Sequence, residues 1–117
     1  MAGRLIASRH QSLNPDGYEL ALLKAQSSMQ AGDYVTAAKQ AAGAADLARA
    51  AAIDERSSAW VGEALLRRAQ AEKAAGESAS AVADAREALR QLEANLLPAD
   101  SLVMAARGIA AGDVKAN

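Results

Sequence analysis

The sequence predicts an all-α fold of antiparallel helix hairpins, stacked as a short array or closed as a bundle, with about five helices. Three observations carry that prediction. Alanine supplies 33 of the 117 residues, and no residue favours the helix more, because its methyl loses no rotamer entropy on folding. Small and apolar residues recur three or four positions apart, the helical period. Glycine followed by an acid punctuates the chain at Gly32-Asp33, Gly76-Glu77 and Gly112-Asp113. There the glycine accepts the left-handed conformation that closes one helix, and the acid can cap the next.

The elements follow in order. Residues 1–13 have no clear period and read as an arm. Asn14-Pro15-Asp16 is a three-part helix start: an N-cap, a proline suited to the first turn, and an acid beside the positive end of the helix dipole. The first helix is expected to run from there to about Ala31 and to end at Gly32. Asp33 caps the second, from about Tyr34 to Ala52, whose small face is Ala37, Ala41, Ala44, Ala48 and Ala51. Asp54, Ser57 or Ser58 begins a third, which carries Trp60, Val61, Leu65 and Leu66 to Ala75 and ends at Gly76. Ser78 or Ser80 begins a fourth, with Val82, Ala85, Leu89, Leu92 and Leu96 as its apolar stripe. Its charged side pairs Glu87 with Arg90 and Arg90 with Glu93 at i,i+3. Leu97-Pro98 stops it, since proline disfavours helical geometry in the residue before it. Asp100 or Ser101 caps a short fifth helix to about Ala111. The organisation is therefore an arm at 1–13, one helical domain over 14–112 and a frayed tail at 113–117.

Composition excludes several classes of function. The net charge is −1, so no strong field is present to hold a nucleic acid or an anionic membrane. Cysteine is absent, which removes disulfides and thiolate metal sites. The first ten residues hold no long apolar run and do not read as a secretory signal. The alanine-rich stretch from Ala41 to Ile53 is interrupted by Asp46 and Arg49 and is too short and too charged to span a bilayer. A cytoplasmic chain is expected, or one inside a virion. Phe is absent, and an alanine core buries little area per residue. That thin core points to close helix packing and to added burial from self-association.

No constellation for chemistry stands out. His10, the one imidazole, lies in the arm and reads as a solvated residue. Ser57 and Ser58 sit where serine ordinarily caps a helix. The carboxylates are expected along exposed faces, no Glu-x-x-His pair occurs, and no glycine-rich phosphate loop is present. The expectation is a non-enzyme with no metal and no cofactor. Arg67, Arg68 and Lys73 form the densest basic cluster, but Glu63 precedes Arg67 by four residues in the favourable order. A solvated ion-pair face is expected there, ahead of a site for an acidic peptide or nucleic acid. Trp60 is expected to pack against a neighbouring hairpin, with an interface anchor as the alternative. Leu96-Leu97 and Leu102-Val103-Met104 flank Pro98. Part of that surface, Leu102 and Met104 included, is expected to be covered by another chain.

Two of the Gly-acid boundaries are followed by small residues at matching offsets. Ala37, Ala41 and Ala44 stand 5, 9 and 12 residues after Gly32, and Ala81, Ala85 and Ala88 stand at the same distances after Gly76. With Tyr34 beside the first turn, this half-pattern resembles the tetratricopeptide repeat, over about residues 20–114. Ser78 replaces the aromatic at the second turn, the family's Trp-Leu-Gly-Tyr signature is missing, and the proline that closes its repeats is absent near Ala52. The resemblance implies a groove lined by the first helix of each pair, which places Gln26, Gln30, Gln70 and Lys73 toward a bound peptide or protein. A plain alanine-rich bundle remains the alternative, because any helix hairpin needs such caps. The expected function is a non-catalytic adaptor that binds a protein partner. The alternatives are a self-assembling structural subunit, as in a phage virion, and, on the basic cluster alone, a nucleic-acid-binding regulator.

Overall fold

The computed structural model describes residues 17–51 and 59–115, with side chains described through residue 50 of the first stretch and through residue 111 of the second. The arm with His10, the Asn14-Pro15-Asp16 signal and the caps expected at Asp54, Ser57 and Ser58 lie outside the described residues. Within them are five helices and no strand: α1 (Tyr18–Gln30), α2 (Tyr34–Ala51), α3 (Ala59–Ala74), α4 (Ser78–Glu93) and α5 (Ser101–Lys115).

Both tight turns are built as the Gly-acid pairs dictate. Gly32 and Gly76 take φ of 83° and 87°, where a Cβ would be strained. Asp33 N donates to Ser28 O at 2.9 Å and Gly32 N to Met29 O at 3.1 Å. Glu77 N donates to Glu72 O at 2.8 Å and Gly76 N to Lys73 O at 3.1 Å. Each pair of bonds is a Schellman closure, satisfying carbonyls that the helix end leaves without partners. Asp33 then caps α2 through Oδ1, which accepts from Thr36 N at 3.3 Å. Asp100 caps α5 in the same way, accepting from Leu102 N at 2.9 Å.

Several boundaries depart from the sequence reading. Gly17, with φ of 84°, is the N-cap of α1, so that helix begins at Tyr18, after a left-handed residue. Helix α4 ends at Glu93, well before Leu97-Pro98. Asn95 Nδ2 donates to Gln91 O at 2.8 Å while Asn95 N turns to Leu92 O at 3.0 Å. The asparagine side chain thus takes the carbonyl that another α-helical turn would use. Leu96 consequently lies outside the helix, though it still packs on the core. Gly112-Asp113 is not a boundary, and α5 runs on to Lys115. A glycine inside an alanine-rich helix costs only about 1 kcal/mol against alanine, which does not end the helix unless the backbone also turns left-handed. The expected frayed tail therefore contains three helical residues.

Each helix packs chiefly on the next in sequence, and α3 also meets α1 and α5 more weakly. Alanine lets the axes approach closely: Ala37, Ala41, Ala44, Ala45 and Ala48 of α2 are buried, as are Ala81, Ala85 and Ala88 of α4. The large core residues are concentrated on α3, where Val61, Leu65 and Leu66 are buried and are joined by Leu92 and Val103. Helix α3 is therefore the centre of the stack, and α1 and α5 are its flanks.

Candidate functional site

Between α1 and α2 an open groove of about 530 Å³ is lined by Gly17, Leu20, Ala21 and Lys24 on one wall and by Gln40, Gly43, Asp46 and Leu47 on the other. The register of the hairpin is anchored at two levels. A Cβ at Gly17 would lie 3.6 Å from Leu47 Cδ1, and Ser28 Oγ donates to Gln40 Oε1 at 2.7 Å. The groove is apolar and uncovered. Leu20 is 56% exposed and Leu23, on the same helix, 61%. Leu47 is 36% exposed on the opposite wall. Three leucines on one short helix, at 20, 22 and 23, exceed what a single buried stripe can hold. That surplus is the sequence signal for this surface, which the periodicity reading passed over.

A second groove, about 250 Å³, runs between α2 and the end of α3, with Val35, Ala38 and Ala42 on one side and Arg68, Glu72 and Ala75 on the other. Glu72 is only 5% exposed, which corrects the expectation that the carboxylates lie along exposed faces. Arg68 Nε stands 3.2 Å from Glu72 Oε2 and 3.3 Å from Asp84 Oδ2. Burial, then the hydrogen bond and the charge of Asp84, push the Glu72 carboxyl up to about 7 against the opposing pull of Arg68. Glu72 Oε1 is buried with no hydrogen-bond partner, a setting that favours the protonated carboxyl over the charged one. Paired carboxylates serve acid–base catalysis in many enzymes. Here the pair is closed onto Arg68 and ties α3 to α4, a tertiary link that helix periodicity does not encode.

The residues singled out in the sequence are dispersed. Gln26 and Gln30 are exposed on α1, and Lys73 is exposed in the last turn of α3. Gln70 is half-buried and accepts from Arg67 Nη1 at 3.1 Å. None of these four lines either groove. Trp60 is half-buried against Tyr18, with ring centroids 6.0 Å apart and planes inclined at 42°, so it packs on the first hairpin. Leu102 is half-buried against the core, whereas Met104 is 58% exposed. The basic cluster is neutralised in part, since Arg67 Nη2 lies 3.8 Å from Glu63 Oε2 and Arg68 is held by Glu72 and Asp84. Arg90 pairs with Glu87, but Glu93 reaches across to Arg107 of α5 at 3.0 Å in place of Arg90.

Among the described residues no group of His, Asp or Glu is arranged to hold a metal ion, and no helix is long and apolar enough to cross a membrane. No family model, curated protein or solved structure matches the chain.

Proposed function

We propose that this chain is a non-catalytic protein–protein interaction module of stacked helical hairpins, an adaptor in the manner of a degenerate tetratricopeptide array. The observation that carries the reading is the exposure of Leu20 and Leu47 in the α1–α2 groove, with Leu23 also exposed on α1. Large side chains left uncovered beside a groove mark interaction surfaces more often than single scattered apolar residues do. The sequential packing, in which α3 touches both α1 and α5, favours a stack with its odd-numbered helices on one side. On that side Gln26, Gln30, Gln70 and Lys73 belong to the helices that line the groove of a tetratricopeptide array. The test is affinity capture with the wild-type chain and with a Leu20→Ser/Leu47→Ser variant. A specific protein partner recovered by the first and lost by the second is expected, with the same helix content in both. Recovery of no specific partner by either, a second copy of the chain included, overturns the reading.

A second reading, a self-assembling structural subunit of a larger particle, is favoured by the apolar exposure at the other end of the stack. Leu97 is 78% exposed there, near the exposed Met104. Terminal layers of a solenoid that stands alone ordinarily carry polar outer faces.

A further inference from the structure

The α1–α2 groove has a property that its exposed leucines alone do not explain. Gly43 stands near the middle of α2 in a helix otherwise dense with alanine. A Cβ built on it would meet nothing within 4 Å. A mid-helix glycine costs about 1 kcal/mol against alanine, and nothing among the described residues requires its missing methyl. Gly62, by contrast, is needed by its own chain, because a Cβ there would press on Leu92. Gly43 lines the α2 wall of the groove, where a bare backbone admits a second helix at close range.

The charges at the groove are arranged as opposites. Lys24 lines the α1 wall and Asp46 the α2 wall. The Gly17–Leu47 and Ser28–Gln40 anchors set them at different levels, about 9 Å apart along the helix axis counted from the first anchor and about 3 Å from the second, at 1.5 Å per residue. Among the described residues Asp46 has a long ion pair with Arg49, at 3.8 Å, and its side chain is 81% exposed. A two-fold axis lying between two such faces and crossing the Lys24–Asp46 diagonal exchanges the two positions. Each Lys24 then meets the other copy's Asp46, with Leu20 and Gly43 at the levels between them and Leu47 just beyond Asp46. A surface that pairs with itself in this way is isologous, the arrangement of a closed dimer.

We propose that the α1–α2 groove is the interface of a two-fold homodimer of this chain, sealed by two reciprocal Lys24–Asp46 pairs. This deepens the interaction-module reading and rests on it. Light scattering after size exclusion tests it on the full chain. The wild type is expected to run at twice the mass of one chain. Lys24→Glu and Asp46→Lys each set like charges against one another at both symmetric contacts and weaken the dimer by about tenfold or more. The double variant recovers the dimer. An equimolar mixture of the two single variants also recovers it, as a heterodimer, because both contacts are then opposite in sign. Gly43→Leu fills the α2 wall of the groove and gives a monomer with unchanged helix content, since a Cβ there meets nothing within 4 Å among the described residues.

A wild-type monomer at the highest concentration reached overturns the proposal, as does a dimer indifferent to the charge reversals. Single variants that dissociate but do not recover on mixing overturn the two-fold arrangement. A monomer that still captures a specific partner through Leu20 and Leu47 removes the dimer and leaves the broader reading standing. A monomer that captures none removes both.

Discussion

Gly62 of α3 lies directly beneath Leu92 of α4: a Cβ on the glycine would sit 2.7 Å from Leu92 Cγ and 2.9 Å from Leu92 Cδ2. Both residues are buried, and Leu92 is among the largest fully buried side chains of the described core. The glycine is the hole and the leucine the knob that set the separation of the two helices.

Gly62→Ala is therefore expected to destabilise the fold by about 1–3 kcal/mol, despite alanine's better helix propensity, because the methyl overpacks the contact. Leu92→Ala is expected to cost about 2–5 kcal/mol by leaving a cavity. The double variant should lose less than the sum, since the new methyl occupies part of the space vacated. Urea unfolding of the four proteins measures the coupling, and strict additivity contradicts the contact.

The same glycine-to-alanine change should have opposite signs at two other positions. Gly32 takes φ of 83°, so Gly32→Ala is expected to cost about 1–2 kcal/mol. Gly108 is helical within α5 with nothing within 4 Å of a Cβ, so Gly108→Ala is expected to add up to about 1 kcal/mol. Melting temperatures should move in opposite directions. Equal signs would mean that the αL turn or the open site has been misplaced.

Tyr18 joins the first hairpin to α3. It is 3% exposed, and its hydroxyl donates to Trp60 O at 2.8 Å, with Glu63 Oε1 at 3.4 Å. Burial, chiefly, and the neighbouring Glu63 hold its phenol far above the usual range, so it remains the donor throughout the working pH range. Tyr18→Phe keeps the ring against Trp60 and removes only the hydroxyl. A loss of about 1–2 kcal/mol is expected, with Trp60 fluorescence little changed in the folded state. A loss near zero means that the bond to Trp60 is not formed in solution.

The Glu72 carboxyl, ordinarily at 4.5, is raised to about 7 in the fold. Folding thus favours its protonated form. The associated stabilisation is fully present below about pH 4.5 and is lost as pH rises through about 7. The shift corresponds to no more than about 3 kcal/mol. Denaturant unfolding of the wild type and of Glu72→Gln across pH 4 to 8 should show the difference between them narrowing or reversing as pH rises, with the glutamine variant gaining on the wild type. Parallel pH profiles would show that Glu72 titrates at its ordinary value.

Helix number and the two tight turns were readable because they depend on local chemistry. Alanine content, the 3-to-4 spacing and Gly32-Asp33 or Gly76-Glu77 act within a few residues of themselves. The end of α4 and the length of α5 were misread for the same kind of reason. The Asn95 side chain and the alanines around Gly112 outweighed the proline and glycine signals that ordinarily mark boundaries.

What the sequence by itself determined is the all-helical class and the αL turns that make consecutive helices antiparallel. Only the tertiary structure decided which leucines are covered, that Gly62 is a socket while Gly43 faces open space, and that Glu72 is buried against Arg68 and Asp84. The physical reason is that a helical period places a residue on a face but does not say what lies opposite it. In a core of alanines, whose small side chains are compatible with more than one helix arrangement, exposure at Leu20 and Leu47 and burial at Leu92 depend on which helix docks where. That choice is made between elements distant in sequence, and the uncovered α1–α2 groove is its consequence.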